Sequence, residues 1–153
     1  MKKKLAPIAF AALLLCLSMS SVNSAPVPFD NTFQFTGTFG LLNPCNNEIV
    51  QGPIDIQIVV STAETGNGQT KVNVHHHSHG MLSGNQGNEY QISRRSKGQF
   101  DAVSTQYVIP WFGEFIGNGA APNFTAEGTL RVFTNANNEP IGSQLVTIST
   151  ECK

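Results

Sequence analysis

Residues 54–74, IDIQIVVSTAETGNGQTKVNV, decide the fold of this 153-residue chain. Apolar and polar side chains alternate on both sides of the central turn, which is the period-two pattern of half-buried β-strands. The turn itself, Gly66-Asn67-Gly68, contains the residue types that adopt the positive φ of a tight hairpin. The stretch therefore predicts two antiparallel strands joined by a short connection.

The same alternation continues on either side of this hairpin. Phe33, Phe35 and Phe39 fall on one face of an upstream segment, and no segment has the period of a long helix. We predict an all-β fold of about eight strands, either an up-and-down antiparallel β-barrel or a two-sheet β-sandwich. We expect Gly52-Pro53 to break its strand in two or to bulge it. Pro110 is expected to mark an edge position or a bulge, with two short strands in its segment, because proline lacks the amide hydrogen that a central ladder needs.

The first residues follow the three-part order of a secretory signal peptide. Three lysines at 2–4 precede an apolar run at 5–17, and a short polar stretch leads to a predicted cleavage near Ser24/Ala25. The apolar run is shorter than the roughly 20 residues that a membrane-spanning helix needs. We predict residues 1–24 as a signal peptide, residues 25–153 as a single all-β domain without a transmembrane segment, and a secreted or periplasmic location.

The three cysteines divide between these two parts. Cys16 lies where a lipoprotein signal has its lipidated residue, but bulky Leu15 stands where such signals have a small side chain, so we do not expect lipidation. Cleavage leaves Cys45 and Cys152, and export delivers them to an oxidising compartment in which thiols pair. We therefore predict a Cys45–Cys152 disulfide.

Several short motifs together resemble a family of small, secreted, uncharacterised bacterial proteins. They are Asn43-Pro44-Cys45 with Glu48, the histidine-rich segment leading to Tyr90, the GNGAAPNF stretch at 117–124, Asn135-Ala136-Asn137 with Glu139, and the closing Glu151-Cys152-Lys153. The resemblance implies export and a compact β-domain, and it carries no catalytic residues. Asn47 stands where a glycine is common in that family, and the density of histidines also departs from its pattern.

All four histidines fall between positions 75 and 79. In a strand, His75, His77 and His79 would share one face, while His76 would join Val72 and Val74 on the core face. Imidazoles at alternate strand positions are ligands that suit Zn²⁺ or Cu²⁺, with the remaining ligands coming from elsewhere. The alternative is a solvated row of histidines with no metal.

Two other groups of residues are candidate binding sites. Arg94, Arg95 and Lys97 are suited to recognise an anion, although a charged edge strand would have the same pattern. The aromatic side chains of a second segment would line a ligand pocket or pack in the core. They are Tyr107, Trp111, Phe112 and Phe115.

Charge and composition restrict the function more than any motif does. Cleavage would remove three of the nine basic residues and none of the ten acidic ones, leaving an acidic domain that lacks the basic face of a nucleic-acid binder. We predict a non-enzymatic secreted domain whose partner is a small ligand, a glycan or a protein. The alternative is a divalent-metal-binding protein, or a metal-dependent enzyme, centred on the strand from His75 to His79.

Overall fold

The computed structural model describes residues 28–153, and the predicted signal peptide, its cleavage site and Cys16 lie outside them. Seven β-strands make up this part of the chain, which contains no helix long and apolar enough to cross a membrane. The strands are β1 (Asp30–Asn43), β2 (Glu48–Glu64), β3 (Thr70–Gly84), β4 (Glu89–Phe100), β5 (Gln106–Gly117), β6 (Phe124–Thr134) and β7 (Pro140–Cys152).

Each strand pairs antiparallel with its neighbour in the chain, so the sheet order is β1 to β7 without a crossover. The sheet curls until β1 and β7 approach each other, which makes a nearly closed barrel. Across this seam, the side-chain amide of Asn31 donates a hydrogen bond to the carbonyl of Asn137 at 3.3 Å. The predicted all-β, up-and-down barrel is therefore confirmed over the sandwich, with seven strands in the described residues.

Alternating burial along the strands places one face of every strand in the barrel interior. On β3, Val72 and Val74 are fully buried, while the intervening Asn73 is only partly so. On β1, Phe35 and Phe39 point inward as predicted and are partly buried against the core. The largest buried side chains come from the middle and later strands: Tyr90, Tyr107, Phe115, Phe124, Ile58, Leu82, Ile92 and Ile109.

The hairpin between β2 and β3 forms as predicted. The amide of Gly68 donates to the carbonyl of Thr65 at 2.8 Å, and Gly68 has a φ of 79°. Gly52-Pro53, however, does not divide β2, because the pairing with β1 runs unbroken through Thr38 and Pro53. The pairing with β3 skips the residues between Gln51 and Asp55, so the proline perturbs one side of the strand only.

β4 and β5 are paired only at one end, where residues 90–92 face residues 115–117. Beyond that point the two strands separate, while β5 stays paired with β6 along its length. Pro110 lies in the separated part of a single continuous β5, so the expected edge position is correct and the expected division into two strands is wrong. This separation creates the opening described below.

A disulfide closes the opposite end of the sheet. Cys45 in the β1–β2 loop is bonded to Cys152 at the end of β7, with the Cα atoms 5.1 Å apart and a sequence separation of 107. The predicted pairing is confirmed. The bond ties the first hairpin to the last strand near the barrel seam.

Candidate functional site

The separation of β4 from β5 leaves a groove of about 670 Å³ in the barrel wall, which we call the β4–β5 groove. Its cationic side is the strand segment that carries Arg94, Arg95 and Lys97. The opposite side comes from β5, β6 and β7. Those residues are Pro110, Trp111, Phe112, Glu127, Gly128, Thr129 and Ser149.

Arg94 occupies an unusual position in this groove. Strand alternation places it on the same face as the buried residues Tyr90 and Ile92, so its side chain starts from the interior side of β4. Its guanidinium carbon lies 4.9 Å from the ring centroid of Phe112, a half-exposed residue of β5. The Nε atom of Arg94 is buried and has no hydrogen-bond partner among the described residues.

Ser96 adds a second unsatisfied donor beside this arginine. The residue is 7% exposed, lines the groove, and its hydroxyl oxygen has no partner in residues 28–153. Buried polar atoms are nearly always hydrogen-bonded, because an unpaired one gives up its hydrogen bonds to water and gains none in the protein, which destabilises the fold. Arg94 and Ser96 therefore present donors that a bound group would satisfy.

The groove is positively charged overall. Arg95 and Lys97 are exposed on the outer face of β4. Glu127 is the one carboxylate among the described lining residues, and it accepts a hydrogen bond from the hydroxyl of Ser149 at 3.4 Å. The structure thus brings the three predicted cationic residues together at one opening.

The four predicted pocket aromatics separate into two pairs. Trp111 and Phe112 line the groove, Trp111 from the buried side and Phe112 from the exposed side. Tyr107 and Phe115 are instead almost fully buried in the core. The ring of Tyr107 packs 4.9 Å from that of Phe100, and the ring of Phe115 stacks 4.5 Å from that of Phe124.

The histidines of β3 point to the faces of the sheet that strand alternation predicts. His76 is 3% exposed and points inward, whereas His75 and His79 are exposed and His77 is half-buried on the outer face. The rings of His77 and His79 stack at 5.5 Å, and His79 Nε2 lies 3.6 Å from an oxygen of Asp55. Within residues 28–153, no group of three or more His, Cys, Asp or Glu is arranged to hold a metal ion. Zn²⁺ or Cu²⁺ binding here stays a prediction.

Burial controls the protonation of the inner histidine. Desolvation, with a smaller contribution from the neighbouring His77, lowers the pKa of His76 to about 4. The pKa of His77 is also lowered, by burial first and then by the charges of Arg95 and His79. His76 is therefore neutral at pH 7.

A second buried polar cluster, which the sequence did not reveal, lies at the disulfide end. Glu48 is fully buried and accepts four hydrogen bonds: from the hydroxyl of Tyr90 at 2.7 Å, the side-chain amides of Asn88 at 2.9 Å and Asn46 at 3.0 Å, and the backbone amide of Gln86 at 2.9 Å. We call this the Glu48 cluster. Asn43 joins it by donating to the Tyr90 hydroxyl oxygen at 3.0 Å.

The hydrogen bonds to Glu48 outweigh the cost of its burial. Desolvation alone would raise the pKa of the carboxyl, but the donors of Tyr90, Asn88, Asn46 and Gln86 lower it to about 2. Burial and the bond to Glu48 raise the pKa of Tyr90. Both groups thus keep the protonation states in which tyrosine donates and glutamate accepts.

No protein-family model, curated protein or solved structure matches this chain. The resemblance to small secreted bacterial proteins therefore stays a prediction.

Proposed function

We propose that this protein is a secreted, non-enzymatic binding domain that holds a small organic anion, one bearing an aromatic or other apolar part, in the β4–β5 groove. The observation that carries the proposal is the position of Arg94. Its guanidinium stacks on Phe112 at the opening, and its Nε is buried without a partner in the described residues.

The chemistry of the groove favours a carboxylate, sulfonate or phosphate group on the ligand. Guanidinium and hydroxyl donors bind such anions with short, charge-assisted hydrogen bonds, and Arg94 and Ser96 have donors to offer. Arg95 and Lys97 add attraction that draws an anion towards the opening. These cationic residues place positive charge at one opening of a domain whose predicted mature form is acidic overall.

The apolar part of the ligand has its own contacts. Trp111 and Phe112 present aromatic surface on the β5 side of the groove, opposite the cationic residues. Binding sites for small molecules combine largely apolar walls with a few polar groups that fix orientation. A ligand with a ring and an acidic group would therefore contact both sides at once.

The secreted location in this proposal has separate support. Residues 1–24 have the order of a signal peptide, and the Cys45–Cys152 disulfide is a type of bond that persists in oxidising compartments. Mass spectrometry of the protein from its native host tests this part. A mature N-terminus at or beside Ala25 supports it, and an intact Met1 in the exported fraction contradicts it.

A matched pair of fluorescent probes tests the groove. 1-Anilinonaphthalene-8-sulfonate has both a ring system and a sulfonate, and N-phenyl-1-naphthylamine is its uncharged counterpart. We expect the sulfonate to bind more tightly to the wild type, with an affinity that falls as salt increases. In the R95Q/K97Q double variant, the sulfonate should bind about tenfold more weakly, since the attraction of two positive charges at the opening is lost.

R131Q is the control for charge alone. Arg131 is exposed on the outer face of β6 and lies outside the groove. This variant should bind the sulfonate as the wild type does. Equal affinities of the wild type and R95Q/K97Q for the sulfonate, or equal affinities of the wild type for the two probes, would overturn the proposed anion site.

A further inference from the structure

A second cavity lies inside the barrel and shares Trp111 with the β4–β5 groove. It has a volume of about 280 Å³ and reaches from the interior to the seam where β1 and β7 approach without pairing. We call it the lumen site. Its walls are mainly apolar and come from six of the seven strands, with Phe39, Ile56, Trp111, Leu130 and Leu145 among them.

Two buried polar groups interrupt this apolar wall. His76 and Ser78 are alternate residues of β3, so both point inward, after Val72 and Val74 and before Leu82 on the same face. They are 3% and 1% exposed. The Nδ1 atom of His76 and the hydroxyl oxygen of Ser78 have no hydrogen-bond partner among the residues that the structure describes.

The strands around these groups offer them no partner for a geometric reason. The backbone donors and acceptors of a β-barrel are directed along the sheet to neighbouring strands, and only side chains project into the interior. Opposite His76, β2 contributes Ile58, which has no polar atom, and β4 contributes Ser96, whose hydroxyl oxygen forms no hydrogen bond with His76 in the described residues. A group brought in from outside can satisfy what the wall cannot.

We propose that the lumen site binds a small uncharged molecule with an aromatic or aliphatic body and a hydroxyl group. A hydroxyl both donates and accepts, which matches a serine hydroxyl beside a neutral imidazole. Among the described lining residues none has a carboxylate, ammonium or guanidinium group, which favours an uncharged ligand. A cavity of about 150 Å³ is large enough for benzene, and this one exceeds that size.

The route of entry is part of the proposal. Thr38 and Gly40 of β1, together with Ser143 and Ile148 of β7, line the outer mouth of the cavity. Because β1 and β7 share no ladder of hydrogen bonds, a ligand passes between them without breaking sheet pairing. The lumen site is therefore accessible in the folded protein, and it goes beyond the anion site proposed above.

The test compares 4-methylphenol with toluene, which has the same ring and methyl group but no hydroxyl. Trp111 is the one tryptophan in the sequence and lines both the lumen site and the β4–β5 groove. Its indole N–H resonance therefore reports binding in an NMR titration, and the Ser78 variants assign that binding to the lumen site. We expect 4-methylphenol to shift this resonance and to bind about fivefold more tightly than toluene, since one buried hydrogen bond is gained.

Ser78→Ala should reduce the affinity for 4-methylphenol about fivefold and leave that for toluene unchanged. Ser83→Ala is the control, because Ser83 lies on the same strand and is exposed. Ser78→Leu, which fills the cavity with apolar atoms, should abolish binding of both compounds. R95Q/K97Q should bind both as the wild type does, so failure of the anion site and failure of the lumen site give different results.

Two results would overturn the lumen site. One is the absence of any shift of the Trp111 resonance up to the solubility limit of 4-methylphenol, which would mean that only water reaches His76 and Ser78. The other is an unchanged preference for 4-methylphenol over toluene in Ser78→Ala.

Discussion

The barrel contains two buried polar regions that differ in one respect, namely whether the protein satisfies them. In the Glu48 cluster, the carboxylate has four donors within 3.0 Å. In the middle of the barrel, four buried side-chain atoms of the described residues lack any partner: His76 Nδ1, Ser78 Oγ, Arg94 Nε and Ser96 Oγ. The first region is built to hold the structure, and the second has bonding capacity left for a ligand.

The difference follows from which elements supply the residues. Asn46 and Gln86 lie in turns, and Asn88 immediately precedes β4, so irregular backbone at the barrel end brings amides towards the carboxylate. The middle region is made of regular strands, whose backbone N–H and C=O groups are hydrogen-bonded to neighbouring strands. A polar side chain at the barrel end finds protein partners, whereas one in the middle does not.

The largest effect on this comparison is expected from Glu48→Gln. The amide nitrogen of glutamine would face donors instead of accepting from them, and the charge that strengthens the four hydrogen bonds would be lost. We expect the free energy of unfolding to fall by about 3 kcal/mol in urea denaturation. Glu64→Gln, at an exposed glutamate of the same strand, should change it by less than about 0.5 kcal/mol. Equal effects of the two variants would show that the Glu48 cluster is not structural.

Acid should weaken the same cluster. The pKa of Glu48 is about 2 in the folded protein against an ordinary value of 4.5, so between these pH values the unfolded chain binds more protons than the folded one. This contribution to stability is complete above pH 4.5 and is lost as the pH falls towards 2. Urea midpoints measured from pH 2 to 5 should therefore drop more steeply in the wild type than in Glu48→Gln. Parallel pH profiles would contradict the lowered pKa.

Gly84→Ala tests how closely the cluster is packed. A Cβ atom at Gly84 would overlap the Glu48 carboxylate, whose oxygen and carbon lie far inside contact distance of it. We expect a loss of about 2 kcal/mol, since the carboxylate must move away from its donors. Gly66→Ala is the matched control, because a Cβ there meets nothing within 4 Å and its φ is not positive. If both variants unfold at the same urea concentration, the close approach is not real.

Much of the barrel could be predicted from the sequence because strand alternation is a local signal. Val72 and Val74 alone place His76 inward and His75, His77 and His79 outward, and the structure agrees. The disulfide follows from cysteine count and export. The Glu48 cluster could not be predicted, because Tyr90 and Asn88 are some 40 positions away and only the closed sheet brings them to Glu48.

The β4–β5 groove shows where local patterns are insufficient. The spacing of the three cationic residues predicts an anion site, and Pro110 predicts a strand edge. Neither pattern shows that these two features face each other across an opening, because strand separation depends on the closure of the whole sheet. Only the alternate spacing of Tyr90, Ile92 and Arg94 along β4 indicates that the side chain of Arg94 lies on the inner face of the sheet.

The smallest expected effect has the opposite sign and distinguishes the two regions most directly. Ser78→Ala removes a buried hydroxyl that has no partner in residues 28–153, so it relieves a desolvation cost instead of breaking a bond. We expect the free energy of unfolding to stay equal or to rise by up to about 1 kcal/mol, measured by urea denaturation beside the exposed control Ser83→Ala. A loss of stability comparable to that of Glu48→Gln would mean that Ser78 is satisfied within the protein, and the middle of the barrel would then be structural like its disulfide end. A gain would show that the chain retains this hydroxyl against its own stability, which is the behaviour of a group kept for binding.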